Sequence, residues 1–148
     1  MNFVIIGCGR VFEYYKSCIL TELPESWNLV GLVENNPKKI RYLKNDFKDL
    51  MIVDSIDKLI DTKQNIDLAI ILSISGMHYH HSKKLLANNI NVIIEKPICM
   101  IPAEIDEINE LAKKNNKKIF SIFQNRFNKA LMFTKKFIEE GKLGEIRT

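Results

Sequence analysis

The sequence predicts a doubly wound α/β domain, in which helices cover both faces of one parallel sheet. Short and almost continuous apolar runs recur along the chain, as expected for strands that are buried on both faces. Stretches with helical periodicity separate these runs. The first run is followed directly by a Gly-x-Gly turn at residues 7–9 and then by a helical stretch. This alternation of strands and helices is typical of a parallel sheet.

Six strands and six helices are expected in alternation. The strands are predicted at residues 3–6, 28–34, 51–53, 67–72, 91–94 and 118–123, and the helices at 10–20, 36–45, 56–60, 78–87, from 102 onward, and at 128–140. Proline in the first turn starts the second helix at Pro37 and the fifth at Pro102. Asp54 or Ser55 can cap the third helix, and Asn128 the last.

Composition and charge exclude several classes of protein. The chain has 148 residues, of which 46% are hydrophobic and 27% charged, as in one soluble domain with a full core. It contains neither an apolar stretch as long as a membrane span nor a signal-peptide pattern. The cysteines Cys8, Cys18 and Cys99 are odd in number and lack CxxC spacing, which favours a reducing cytosol and argues against disulfides or zinc. The net charge of +4 comes from scattered lysine pairs on helices, so nucleic-acid binding is not expected.

The turn Gly7-Cys8-Gly9 has the setting of a dinucleotide fingerprint, between a strand and a helix. Gly7 would form the tight turn and Gly9 would let a pyrophosphate approach the backbone. The amide groups at the start of the next helix, at Arg10 and Val11, would hold its negative charge. Phe12 stands where a third glycine is usual, and we expect it to displace the loop somewhat. Glycine-rich turns without this function also occur in many α/β proteins.

Glu34 ends the second strand, where an acid accepts hydrogen bonds from an adenosine ribose and repels the extra phosphate of NADP. Asn35 and Asn36 follow it, and no arginine does. The pattern therefore favours NAD over NADP. The alternative is a solvated glutamate at a strand end.

Small hydroxyl residues and a histidine cluster follow the fourth strand. Ser73 and Ser75 can line a cleft there, and Ser75 can also cap the next helix. In the run 78–81 the histidines are His78, His80 and His81, which lack the i, i+4 pair of a helical zinc site and have no acidic or thiol ligand nearby. We therefore expect no metal site. His78 is expected to touch the cleft or to pack locally.

The fifth strand ends in Glu95-Lys96-Pro97, two opposite charges and a proline. Proline cannot continue a central strand and favours an extended backbone at Lys96. The Lys96 ammonium is therefore expected at the carboxyl edge of the sheet, where open α/β sheets bind ligands. The Lys96–Pro97 bond is a candidate for a cis peptide. The alternative is a strand that stops at a surface turn.

Gln124, Asn125 and Arg126 leave the sixth strand together and can point into the same edge cleft. Taken alone, these residues favour the alternative of an ordinary strand-to-helix turn, with Asn128 as the cap.

Together these segments resemble the glucose-fructose oxidoreductase and inositol dehydrogenase family (Gfo/Idh/MocA). The resemblance rests on the glycine turn 7–11, Glu34, residues 73–78 in place of Thr-Pro-Asn-x-x-His, and Glu95-Lys96-Pro97, which is its most specific signature. It covers essentially the whole chain. Residues 124–128 and 140–146 are particularly similar to the branch that acts on UDP-sugars in polysaccharide synthesis, which includes UDP-N-acetylglucosaminuronate 3-dehydrogenases. The chain departs from the family at Phe12 and at residues 73–75.

The resemblance implies a Rossmann fold, NAD as cofactor, and oxidation of a hydroxyl on a sugar or nucleotide sugar. Lys96 would be the catalytic residue that handles the proton, and Glu95 would orient it. The expected cofactor-binding residues are Gly7, Gly9, Arg10, Val11, Glu34, Ser73, Ser75, His78, Glu95, Lys96, Gln124 and Arg126. The alternatives are a non-catalytic NAD-sensing module and a structural domain that has lost its ligand.

Family members continue into a second α/β domain that carries a catalytic histidine and the sugar pocket. We expect residues 1–125 to form the dinucleotide-binding domain, and residues 126–148 to form a helix and the start of a linker strand. A strand that begins at the end of the chain suggests that the natural protein is longer. We therefore expect this chain to bind NAD without turnover. The full-length protein is expected to form a homo-oligomer.

Overall fold

The computed structural model describes residues 1–145, and these contain one six-stranded sheet in which all strand pairs are parallel. The strands are β1 Asn2–Ile6, β2 Asn28–Val33, β3 Met51–Val53, β4 Leu68–Ile71, β5 Asn91–Ile94 and β6 Ile119–Ser121. Their order in the sheet is β3-β2-β1-β4-β5-β6. The predicted doubly wound α/β fold is confirmed.

Six α-helices connect or follow the strands. They are α1 Arg10–Thr21, α2 Pro37–Asp46, α3 Ile56–Asp61, α4 His78–Ala87, α5 Pro102–Lys114 and α6 Lys129–Glu139. Short 3-10 turns, Ser75–Met77 and Gln124–Phe127, precede α4 and α6. The predicted capping of α4 by Ser75 is wrong, because Ser75 starts the 3-10 turn and the residue before α4 is Met77.

The sixth strand is shorter than predicted, with three residues in place of the expected residues 118–123. As an edge strand it has a single neighbour, and only Val92 to Ile94 of β5 pair with it. The fourth strand is also shorter, since Asp67 and Leu72 flank the paired residues. In both cases the apolar run continues beyond the ladder.

Alternate residues of the strands build two cores, one on each face of the sheet. On one face Val4 and Ile6 of β1 belong to a core that includes residues of α3, α4 and α5. On the other, Phe3 and Ile5 belong to a core that includes residues of α1 and α2. Phe12 of α1 is fully buried in this second core, with its ring tilted against that of Phe47 at 6.5 Å between centroids.

The strand order reverses between β1 and β4, since the chain turns to β2 on one side of β1 and returns to β4 on the other. Loops that leave adjacent strands in opposite directions open a crevice at the carboxyl edge. The strands end level with one another: Ile6 is paired with both Val33 and Ile71, and Ile71 also with Ile94. The residues that follow these four strands therefore leave the sheet at one height.

The end of α6 is marked by Gly141, which has a left-handed backbone with φ of 69°. Residues 141–145 form turns and a bend. The predicted strand start falls partly on residues 146–148, which lie outside the described residues. Within residues 1–145, no helix is both long enough and apolar enough to cross a membrane.

Candidate functional site

A cleft of about 1240 Å³ opens at the carboxyl edge of the sheet, above the strand reversal. Segments that follow β1, β2, β3, β4 and β5 line it. The predicted site residues among its lining are Gly7, Gly9, Arg10, Val11, Glu34, Ser73, Ser75, His78, Glu95 and Lys96. The structure thus brings together residues that lie up to about ninety positions apart in the sequence, in agreement with the rule for open α/β sheets.

Gly7 is a glycine because of both its backbone and its neighbours. Its φ is 90°, and a Cβ atom built on it would lie 2.6 Å from the Ser73 Cα atom and 2.7 Å from the Ser73 nitrogen. No side chain can be accommodated that close to backbone atoms. The loop after β1 therefore passes in direct contact with the loop after β4.

Gly9 is a different case. Its backbone is extended, with φ of −82° and ψ of −157°, a conformation that any residue can adopt. A Cβ atom here would have the Lys39 Nζ atom, at 3.8 Å, as its nearest neighbour. The missing side chain leaves room in front of the start of α1, and this room lies in the cleft.

The start of α1 is a donor site. Within residues 1–145, no side chain caps α1, whereas Asn36, Ser55 and Asn128 cap α2, α3 and α6. The free amide groups of a first helical turn and the positive end of the helix dipole attract an anion. Together with the room left by Gly9, this donor set fits a cofactor pyrophosphate.

Glu34 is buried, so the alternative of a solvated glutamate is wrong. Its Oε2 atom accepts a hydrogen bond from the Cys8 N–H at 2.9 Å, and its Oε1 atom accepts one from the Asn36 N–H at 2.9 Å. The carboxylate therefore ties the glycine loop to the end of β2. Each carboxylate oxygen can accept a second hydrogen bond, so ribose hydroxyls remain possible partners.

Cys8 lies between the two glycines but is no nucleophile. Burial, together with the charge of Glu34, raises the pKa of its thiol to about 12. At neutral pH the thiol stays protonated, and only the thiolate is reactive. The residue acts through its backbone N–H.

Two histidines of α4 hold Ser73. The His78 Nε2 atom lies 2.9 Å from the Ser73 carbonyl oxygen, and the Ser73 hydroxyl is hydrogen-bonded to His81 Nδ1 at 2.9 Å. Burial, and then the nearby charges of His78, His80 and Lys84, lowers the pKa of His81. No group of three metal-ligating residues occurs among residues 1–145. The histidines His78 and His81 therefore hold Ser73 in the wall of the cleft.

Lys96 lies exposed at the cleft, directly after the buried Glu95. The Glu95 Oε2 atom accepts a hydrogen bond from the Lys96 backbone N–H at 2.6 Å. The hydrogen bond between Glu95 and Lys96 is thus made by the backbone N–H and not by the ammonium group. Glu95 therefore fixes the backbone of Lys96. The Lys96–Pro97 peptide bond is cis, which confirms that prediction.

Gln124 and Arg126 do not line the cleft. Both belong to the exposed 3-10 turn after β6, and the Arg126 guanidinium lies over the Phe123 ring at 5.5 Å from its centroid. Because β6 is the edge strand, this turn is separated from β1 by β4 and β5. Their role as cofactor contacts stays a prediction.

Lys39 is a cleft residue that sequence reasoning missed. It lies in the first turn of α2, lines the cleft and comes close to Gly9. The available signal was its position, one helical turn after the cap Asn36, which brings its side chain back toward the end of β2. A cation at this place adds to the positive end of α1.

Comparisons with known proteins agree with this geometry. Residues 1–123 match the model of a family described as oxidoreductases with an NAD-binding Rossmann fold. A scyllo-inositol 2-dehydrogenase (NADP(+)) of Bacillus subtilis is 28% identical over 145 residues, which are 97% of this chain and 39% of that protein. The chain spans about two fifths of the length of the curated relatives that it matches, 42% of one and 39% of another.

Two solved structures show the same fold. The WlbA dehydrogenase of Bordetella pertussis, in complex with NADH and UDP-GlcNAcA, superimposes with a TM-score of 0.88 at 23% identity, over 98% of this chain and 43% of that one. The scyllo-inositol dehydrogenase of Lactobacillus casei, with bound NAD(H) and scyllo-inositol, gives a TM-score of 0.84 at 23% identity, over 99% and 43%.

Proposed function

This chain belongs to the Gfo/Idh/MocA oxidoreductase family, as an NAD-binding Rossmann domain, and on that premise we propose that it serves a dehydrogenase that oxidises a sugar hydroxyl. The observation that carries the proposal is the composition of one cleft. It brings together the uncapped start of α1, the buried carboxylate of Glu34 and the ammonium group of Lys96. The first two suit a dinucleotide, and the third suits a reacting hydroxyl.

The residues present fit NAD. Gly9 and the first-turn amides of Arg10 and Val11 would hold the pyrophosphate, and Glu34 would accept the ribose hydroxyls with its remaining lone pairs. When bound, NAD supplies the hydride acceptor. The negative charge of Glu34 favours NAD over NADP, although Lys39 at the same cleft would attract a phosphate.

Lys96 is the residue that we propose handles the proton. Its ammonium group can donate a hydrogen bond to the oxygen of the substrate, and its neutral amine form can accept the proton that the oxidation of the hydroxyl releases. Glu95 contributes by holding the backbone of Lys96 through the 2.6 Å hydrogen bond to its N–H. The Lys96 side chain itself is exposed, so it can reach a substrate above the cleft.

The substrate that we propose is a sugar or nucleotide sugar, with a UDP-sugar of lipopolysaccharide or polysaccharide synthesis as the finer assignment. The resemblance of residues 124–128 and 140–146 supports that branch, as does the likeness to a structure that holds UDP-GlcNAcA. We further propose that a second domain forms the sugar pocket in the whole protein, which would assemble as a homo-oligomer. The three free cysteines support a place in the cytosol.

Cofactor binding is testable with this chain alone. We expect it to bind NADH below millimolar concentration, measured by calorimetry or NADH fluorescence, and to bind NADPH more weakly. In Gly9→Ala the new methyl group has room in the fold but stands where the pyrophosphate approaches. The variant should keep its melting temperature and lose about tenfold in NADH affinity, which corresponds to roughly 1.4 kcal/mol.

The control for this experiment is Gly76→Ala, since a Cβ atom at Gly76 would meet no atom within 4 Å. It should change neither stability nor affinity. Absence of NADH binding at millimolar concentration by the folded wild-type chain would contradict the proposed function. Equal NADH affinities of wild type and Gly9→Ala would contradict the position given to the pyrophosphate.

The role of Lys96 needs the protein with its second domain. There, Lys96→Met should lower turnover by about two to four orders of magnitude, the usual contribution of a positioned proton donor or acceptor, and leave NAD affinity nearly unchanged. Lys83→Met is the matched control, because Lys83 lies on α4 and pairs with Tyr79 and Glu107. Normal turnover of the Lys96 variant would exclude the catalytic role.

A further inference from the structure

His78 is enclosed between two loops of the cleft, with 1% of its surface exposed. Its Nδ1 atom lies 2.7 Å from the carbonyl oxygen of Pro97, the residue after Lys96. Its Nε2 atom lies 2.9 Å from the carbonyl oxygen of Ser73. One buried ring thus bridges the segment after β4 and the segment after β5.

Both partners of the ring are hydrogen-bond acceptors. A backbone carbonyl oxygen carries no hydrogen, so each ring nitrogen can pair only by donating. A neutral imidazole has one N–H group and would turn a lone pair toward the other carbonyl, without access to water. Only a ring with hydrogen on both nitrogens satisfies the two contacts.

We propose that His78 donates from both ring nitrogens and is a positioning residue, which holds Lys96 in place relative to the cofactor loop. The importance of Lys96 in this inference rests on the proposed function. The hydrogen-bonding pattern of His78 does not, and it can be measured separately.

The contacts of His78 form a continuous path. Pro97 is covalently linked to Lys96, so the bond to its carbonyl limits the direction in which Lys96 leaves β5. Ser73 packs with its Cα and nitrogen against Gly7, and its hydroxyl binds His81. The glycine loop and Lys96 are therefore joined through Ser73 and one ring.

The surroundings of the ring are mixed in charge. His80, His81 and Lys84 are the cationic or titratable groups of its own helix that line the cleft. At the end of β5 are the buried carboxylate of Glu95 and the ammonium group of Lys96. The two carbonyl oxygens aimed at the ring call for an N–H group on each of its nitrogens.

The first test measures the hydrogens directly. Long-range ¹H–¹⁵N correlation spectra of the ¹⁵N-labelled chain at neutral pH distinguish protonated from bare ring nitrogens, and the signals of His78 are assigned by their loss in His78→Gln. We expect both nitrogens of His78 to be protonated. A bare nitrogen on His78 would overturn the proposal. This measurement uses the wild-type chain and needs no cofactor.

The second test asks whether the ring positions Lys96. Lysine labelling by reductive methylation, read out by mass spectrometry, gives a rate for each lysine in the folded chain. In His78→Leu, which lacks both donors, we expect the Lys96 rate to change about threefold or more, while that of Lys83 is unchanged. His78→Gln, which keeps N–H donors, should lie between this variant and wild type.

An unchanged Lys96 rate in a folded His78→Leu variant would overturn the positioning role. If this variant does not fold, the comparison of His78→Gln with wild type decides. The labelling rate of Lys96 must then change in the same direction, by a smaller factor. Two protonated nitrogens together with failure of the wild-type chain to bind NADH would leave the role of His78 standing and remove the proposed function.

Discussion

Gly7 and Gly9 lie two residues apart and are glycines for different physical reasons. Gly7 has a positive φ and touches the backbone of Ser73, whereas Gly9 has an ordinary extended backbone and faces the cleft. The first is needed for the fold and the second leaves room for a ligand. Within one turn, one glycine therefore serves stability and the other serves binding.

Gly7→Ala should destabilise the chain and leave the space for a ligand in the cleft unchanged. A left-handed backbone costs an alanine roughly 1–2 kcal/mol, and the contact at 2.6 Å adds the cost of moving the Ser73 backbone. We expect a loss of about 2–4 kcal/mol in the free energy of unfolding, measured with urea. Gly141→Ala, with φ of 69° and open space, isolates the backbone term and should cost about 1 kcal/mol. Equal losses in the two variants would refute the close contact.

The helices differ in how their first turns are satisfied. Side-chain oxygens of Asn36, Ser55 and Asn128 cap α2, α3 and α6. Among the helices of residues 1–145, α1, α4 and α5 have no cap from the side chain of the N-cap residue. The starts of α1 and α4 lie at the cleft, and so do the capped starts of α2 and α3. At α1 the missing cap leaves the first-turn amide groups open to a ligand.

Asn36 offers a test at the scale of the element. Its Oδ1 atom accepts hydrogen bonds from the N–H groups of Lys38 and Lys39 at 3.0 and 3.4 Å. Asn36→Ala should lower the free energy of unfolding by about 1 kcal/mol, because these donors lose their partner. Asn35→Ala, next to it and exposed, is the control and should change stability by less than about 0.5 kcal/mol. Equal effects of the two substitutions in urea unfolding would argue against the cap.

Many exposed apolar side chains of the described residues lie in β6, the following turn and α6. Residues 129–139 of α6 include no buried side chain. The exposed apolar side chains of β6, the following turn and α6 are Phe120, Phe123, Phe127, Leu131, Met132 and Phe133. Apolar patches of this kind promote association of soluble proteins.

We therefore expect this chain to self-associate as its concentration rises, which sedimentation velocity can follow. The double substitution Phe127→Ser and Phe133→Ser should shift the distribution toward monomer and leave the melting temperature within about 2 °C, because neither ring is buried. Tyr14→Ser is the control, since Tyr14 is equally exposed but lies on α1. Association that responds to the Tyr14 substitution and not to the double one would contradict this prediction.

The sequence predicts the features that depend on burial, such as the positions of the strands. It predicts less well the hydrogen bonds between loops that are distant in the sequence. Strand positions follow from apolar runs because Val92 and Ile94 are buried within a two-sided sheet. The bonds of Glu34 to Cys8 and of His78 to Pro97 join residues 26 and 19 positions apart and depend on loop conformation. The sequence predicts Gln124 at the cleft because the carboxyl ends of all parallel strands share one edge. The strand order, which puts β6 at the far side, does not follow from apolar runs and helical periodicity.

The level ends of the strands limit where the chain can change in length. One residue added within β1, β4 or β5 would shift its last residue by about 3.3 Å and turn every following side chain to the opposite face. The aligned partners Ile6, Ile71 and Ile94 would then no longer deliver the glycine loop, Ser73 and Lys96 to one height. At the opposite edge, the turns 62–65 and 115–118 precede β4 and β6 and contribute no residue to the lining of the cleft. Insertions and deletions should therefore be tolerated at those turns and rejected within the strands. The lengths of the strands thus set the positions of the site residues relative to one another.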